Sequence, residues 1–339
     1  MTIGLVASPA QRAAGQGPTV TIQTSGTGNR LISVSPVDER VVWASGAGGT
    51  YVVTTDGGQS WRAGVVPGAD SLEFRDVEGV SDQVAYLLSI GPGESSRIYH
   101  TPDGGRTWSL QFQNHDPKAF YDCFDFWTPD RGITFSDASA GRFPAIRMTD
   151  GKSWQAIGRR LPAAQAGEGA FASSGTCVAT QGQGNAWVGT GAAGKARVLR
   201  TTDGGDSWTS HGVPIRQGTP TSGVASVAFR DAVHGMLGGG DVADNLTHQK
   251  NAARSSDGGR SWSLTTPAPF TGAVFAVSYV PGRQLTVVAT GPGGSAWSAD
   301  EGKSWSLLPG LSGFWGAAFA GPRAGWLVGD GGRIVKVEF

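Results

Sequence analysis

Six polar side chains in the middle of the chain are of types that perform acid–base or binding chemistry: Asp122, Asp125, Asp137, Arg142, Glu168 and Asp241. Two carboxyl groups flanking a bond, one protonated and one ionised, cleave a glycosidic linkage when they stand about 5–9.5 Å apart. The same residues can instead present charge to a partner, or form structural ion pairs. Rival chemistries lack parts. There are five tyrosines and no arginine cluster at matching positions, so hydrolysis of an acidic sugar through a Tyr nucleophile is not supported; Tyr121 alone is expected at a rim. Residues 189–194 (Gly-Thr-Gly-Ala-Ala-Gly) match G-x-G-x-x-G, but residues 195–200 read as a strand. Without a following helix N-terminus there is nothing to hold a pyrophosphate, and no cofactor is expected. Gly-Lys-Ser occurs at 151–153 and 302–304 without the upstream P-loop glycine. The five histidines form no close metal-ligating pair, so no metal site is expected.

The elements that must position these groups are announced by a repeat. Residues 54–61 read Thr-Thr-Asp-Gly-Gly-Gln-Ser-Trp, and closely similar octets end at Trp108, Trp208 and Trp262. Two variants complete the set: one shortened by a residue and ending at Trp154, one with Glu301 replacing a glycine and ending at Trp305. The aspartates are Asp56, Asp103, Asp150, Asp203, Asp257 and Asp300, at intervals of 47, 47, 53, 54 and 43 residues. That period is one propeller blade. Residues 325–339 align with 42–56 and stop where a seventh octet would begin. The missing outer strand is predicted from residues 20–24, so the N-terminus closes the ring and removes an open seam.

The expected fold is therefore all-β: one seven-bladed propeller of four-stranded blades over residues 19–339, closed by an N-terminal strand. In blade 2 the strands are predicted at 72–77, 83–89, 97–101 and 107–111. Each octet is the turn between the third and fourth strands. Its Asp accepts hydrogen bonds from nearby backbone, its glycines take positive φ, and its Trp plugs the gap between sheets. A Trp→Ala change there is expected to cost about 3–5 kcal/mol. The six candidate site residues are expected around a central funnel on the face opposite the octets. The long loops 112–121, 155–175, 209–222 and 238–251 are expected on that same face, where binding usually resides. Cys123 and Cys177 fall near the starts of first strands in neighbouring blades; a disulfide and two buried thiols both fit that placement.

Octets of the form Ser/Thr-x-Asp-x-Gly-x-Ser/Thr-Trp resemble the Asp-box, or bacterial neuraminidase repeat. Spread once per blade over nearly the whole chain, they are similar to the photosystem II stability/assembly factor family. Residues 124–137 and 167–176 resemble bacterial relatives of that family, which are loosely labelled oxidoreductases or glycosyl hydrolases. The resemblance implies an extracytoplasmic propeller that binds a protein partner and aids its assembly. The Asp-box speaks for fold far more than for function.

Composition agrees. The chain has 54 Gly among 339 residues, 39% hydrophobic residues and 12 Trp, which suits many tight turns around a real core. Lys+Arg and Asp+Glu both number 27, so there is no basic footprint for nucleic acid. No apolar run approaches the ~20 residues of a membrane span. Residues 1–18 read as a disordered tail or the remnant of a secretion signal. The favoured reading is a monomeric scaffold holding a protein partner; the alternative is a glycoside hydrolase-like or saccharide-binding propeller.

Overall fold

The computed structural model describes residues 17–339, so most of the predicted tail lies outside the described residues. Seven four-stranded antiparallel sheets follow one another along the chain. The first strands of successive blades pack side by side around an axis. In blade 2 the strands are Phe74–Gly79, Ala85–Ser89, Arg97–Thr101 and Ser109–Gln113, within two residues of expectation. Second strands are nearly all buried and first strands mostly so, whereas fourth strands are largely exposed. Apolar residues from adjacent blades form the core between sheets; Trp43 and Tyr51 of blade 1, for example, cluster with Phe74, Leu87 and Tyr99 of blade 2.

Blade 7 is completed as predicted. Its three C-terminal strands, Phe314–Gly321, Ala324–Gly329 and Arg333–Glu338, are joined by Thr19–Thr24, which pairs antiparallel with the last of them. Gln23 locks this seam. Its Oε1 accepts from the indole N–H groups of Trp61 and Trp326, both at 3.1 Å, and its Nε2 donates to Gly57 O at 3.1 Å.

The octets are turns between third and fourth strands. In blade 1, Asp56 Oδ1 accepts from Ser60 N (3.0 Å) and Thr54 Oγ1 accepts from Gly58 N (2.9 Å). Gly57 and Gly58 both have positive φ, at 75° and 85°. Hydrogen bonds from the Ser60 hydroxyl and amide hold the Asp56 carboxyl down to about 2. The variant octet puts Glu301 in the left-handed region at φ 54°, and its carboxylate is held by Arg230 Nε at 2.8 Å and Tyr279 OH at 3.1 Å. The octet tryptophans do plug between sheets, but Trp61, Trp108, Trp154, Trp208 and Trp305 remain partly exposed. Trp262, 9% exposed and edge-on to Phe229, is the best buried. Of the six, Trp262→Ala is therefore the one expected to lose about 3–5 kcal/mol in chemical denaturation, with smaller losses at the other five.

Cys123, near the start of the first strand of blade 3, and Cys177, the residue before the first strand of blade 4, form a disulfide with Cα atoms 6.0 Å apart. Of the two readings open from sequence, the bridge replaces the pair of buried thiols.

Candidate functional site

Alternation along a strand normally sends successive side chains to opposite faces. The first strands break that rule near their starts, where each of blades 1, 2, 3, 5 and 7 carries a register shift of one residue. The unpaired residues are Ile32, Arg75, Asp122, Ala225 and Trp315. A bulge of this kind re-aims a side chain. Arg75, Asp122 and Trp315 are thereby turned into one pocket at the axis, together with Phe275 of blade 6.

That pocket, about 480 Å³, lies at the end of the ring opposite the octets. Its floor is a segment that crosses the axis. Residues 171–176 leave blade 3 and reach across before entering blade 4. Ala172 O accepts from Arg75 Nη1 of blade 2 (2.8 Å), Ser174 Oγ donates to Phe275 O of blade 6 (2.7 Å), and Thr176 Oγ1 donates to Ser226 Oγ of blade 5 (2.7 Å). Ala172, Ser173 and Ser174 are buried, at 7%, 5% and 1% exposure. A Cβ on Gly175 would lie 2.3 Å from Asp76 Oδ1, so glycine lets this plug pass against blade 2.

The plug divides the axis into two chambers. The second, about 690 Å³, opens toward the octet end. One ring of first-strand side chains lines it: Ser35, Glu78, Asp125, Ala179, Ala228, Ser278 and Ala318, paired across to Trp43, Tyr86, Ile133, Trp187, Met236, Val288 and Trp326. Burial raises Glu78 well above the usual carboxylate range, and the charge of Asp125 adds to it. Burial also raises Asp125 itself to about 6. Asp76 lies beside them, pushed up by burial although Phe124 N donates to its Oδ2 at 2.8 Å.

The six candidate residues therefore separate. Asp122 and Asp137 meet in the pocket above the plug. Asp122 is 1% exposed, and its Oδ2 has no hydrogen-bond partner. Asp137 Oδ1 accepts from Ala170 N at 3.0 Å. Burial raises both, Asp122 further still through the charge of Asp137, and Asp137 to about 6. Asp125 belongs to the other chamber, because it stands three residues beyond the bulged Asp122. There Thr180 N donates to its Oδ2 at 2.6 Å, tying blades 3 and 4.

Glu168 lines the same pocket, but its carboxylate is fully engaged. Arg197 donates to both oxygens (Nε to Oε1 at 2.6 Å, Nη2 to Oε2 at 2.7 Å), with Thr190 Oγ1 and Gln165 N completing the set. It is an anchor for the plug. Asp241 is likewise committed, to Thr219 Oγ1, Thr221 Oγ1 and Ala243 N. Arg142 is an exposed turn residue whose backbone pairs with Ser139, away from the pocket. Tyr121 is also corrected. It is 4% exposed, packs edge-on to Phe112, and burial lifts its phenol to about 12.

Sequence reading missed Asp76, Glu78, Arg75 and Trp315. Trp315 is a hub: Arg30 and Arg75 lie 4.6 and 5.6 Å from its ring centre, and Phe275 meets it edge-on. Aligning the seven first strands by their second-strand partners would have found this ring.

These shifts give a pH dependence of defined sign. Carboxyls raised by folding contribute stability below their unfolded pKa of about 4, and lose it as pH rises through about 6. The octet carboxyls Asp56 and Asp103, lowered to about 2, contribute above about 4 and lose it as pH falls toward 2. Thermal melting is therefore expected to peak near pH 4–5. Asp125→Asn should flatten the decline between pH 4 and 6 by on the order of 1–2 kcal/mol, after discounting for solvent.

No protein-family profile and no curated protein matches the sequence. Solved structures do. "YCF48 bound to D1 peptide" superposes with a TM-score of 0.66 at 16% identity, covering 98% of this chain and 100% of that one. YCF48 from Cyanidioschyzon merolae gives 0.65 at 17% identity, covering 94% and 98%. The GH74 xyloglucanase from Xanthomonas campestris gives 0.62 at 14% identity over 93% of this chain, but only 53% of that one. At these identities the shared property is the fold: this chain is a seven-bladed propeller similar to YCF48 and to one part of the GH74 xyloglucanase.

Proposed function

We propose that this propeller is a non-catalytic, monomeric scaffold. It binds an extended segment of a protein partner across the ring end opposite the octets. Following its resemblance to photosystem II stability/assembly factors, it serves the assembly or stability of a membrane-associated complex. The observation that carries this reading is the pocket above the plug, with partly exposed Trp315 and Phe171 on its walls and an unpartnered buried oxygen, Asp122 Oδ2, at its side. A propeller of the same fold holding a peptide supports it. The Cys123–Cys177 bridge supports an extracytoplasmic location, where disulfides persist.

The test is capture of the tagged protein from its host with cross-linking and mass spectrometry. Cross-links are expected in loops 114–120, 157–177, 213–221 and 242–251, and Trp315→Glu should abolish capture at a temperature where circular dichroism shows the variant still folded. Cross-links confined to the octet end would overturn the reading.

One observation favours a second reading as a glycoside hydrolase-like or saccharide-binding propeller. Asp122 and Asp137 share one pocket; burial raises both and the charge of Asp137 raises Asp122 further, so one can stay protonated while the other ionises. Turnover of any member of a glycan panel, lost in both Asp122→Asn and Asp137→Asn, would replace the scaffold reading.

A further inference from the structure

The pocket above the plug has a definite charge. Arg75 donates to Glu73 Oε2 at 3.2 Å, and Arg30 donates to Asp330 Oδ1 at 2.9 Å, so these four cancel. Glu168 and Arg197 cancel in their ion pair. What remains is Asp122 and Asp137. Asp122 is almost wholly out of water, and its Oδ2 has no donor. A buried acceptor without a donor is unfavourable, more so when charged, and a donor arriving from a ligand relieves it. Nearby, Arg75 Nε is also buried without an acceptor. Phe171, Phe275 and Trp315 furnish apolar wall.

We infer that this pocket takes the basic side chain, lysine or arginine, of an extended peptide segment of the partner. The cationic head supplies donors to Asp122 and Asp137. Its methylene stem lies on the aromatic wall. The segment's own carbonyl oxygens are acceptors of the kind Arg75 Nε lacks. A saccharide hydroxyl would also donate to Asp122, but it would leave two carboxyls facing each other without a counter-charge. This inference rests on the partner-binding reading and specifies the chemistry of that partner.

Burial raises Asp137 to about 6, so at that pH a cation arriving beside it favours the ionised carboxyl, and proton release accompanies binding. The charged groups around the pair are Arg75 on blade 2, Asp122 and Asp137 on blade 3, and the Glu168–Arg197 pair at the plug. Arg75 is the one cation among them without a full partner set.

The experiment is isothermal titration of the whole protein at pH 6 with N-acetyl-argininamide, N-acetyl-lysinamide and, as uncharged control, N-acetyl-norleucinamide. Buffers of different ionisation heat report protons released. The basic amides are expected to bind at least about tenfold more tightly than norleucinamide, a difference of about 1.4 kcal/mol, with proton release. Asp137→Asn and Asp122→Asn should each remove that preference and the proton release. Should Asp122→Asn fail to fold, Asp137→Asn and the wild-type proton count still decide. Equal binding of norleucinamide, or preference without proton release, overturns the inference. If partner capture persists in Asp137→Asn while the basic amides show no preference, the cation pocket falls and the partner-binding reading stands. If capture maps to the octet end, the partner reading falls, whatever the amides do.

Discussion

Removing residues 17–24 is expected to abolish cooperative melting, or to lower the midpoint by more than about 10 °C. The strand Thr19–Thr24 makes six register pairs with the last strand of the chain, and it joins the first and last blades covalently. Without it, Arg333–Glu338 becomes an edge with unpaired backbone groups, and the ring is held at that seam only by side-chain packing. The indoles of Trp61 and Trp326 lose their shared acceptor on Gln23 at the same time. Gln23→Ala isolates that last contribution. It should cost about 2–4 kcal/mol, because two indole donors lose one partner each. Circular dichroism melting with size-exclusion chromatography reads both variants. A truncated chain that melts like the full one would mean that the ring closes by other contacts.

Glu168→Ala is expected to destabilise by about 3–5 kcal/mol in chemical denaturation, the range for breaking a buried pair from one side. Glu168 has a fully buried side chain, and Arg197 is 14% exposed, so the guanidinium would be left desolvated with two of its bonds unmade. Loosening should not stop there. Glu168 lies three residues before the plug begins at Phe171, and its backbone carbonyl accepts from Ala138 N of blade 3. Hydrogen exchange in 167–176 should rise in the variant well above the global average. Glu168→Gln, which keeps the shape, should show a smaller loss. A variant as stable as the parent would contradict the anchoring role.

Much of the fold was legible because its signals are local. An octet turn is fixed by one carboxylate, two glycines and a hydroxyl within a few residues, so its recurrence counts blades directly. Ring closure was legible because the seventh unit visibly lacked a strand and the N-terminus visibly had a spare one. The site was less legible for a physical reason. Residues 122 and 125 look like two carboxylates of one strand, yet the bulge at Asp122 and the alternation after it send them to chambers on opposite sides of the plug. Glu168 and Asp241 carry the right chemistry, but their charges are consumed by Arg197 and by threonine hydroxyls, partners that no spacing announces. Arg75 and Trp315 are 240 residues apart and meet only because the ring closes. Residues 167–176 stood out only for their family resemblance and as part of a long loop; their crossing of the axis depends on contacts with blades 2, 5 and 6.

The most direct measurement of partner binding at the plug end is hydrogen–deuterium exchange on the complex captured from the native host, compared with the free protein. Protection is expected in residues 114–120 and 167–176 and around Trp315, with the octet turns unchanged. Protection confined to the octet turns or to the exposed outer strands, with residues 167–176 exchanging as in the free protein, would contradict it.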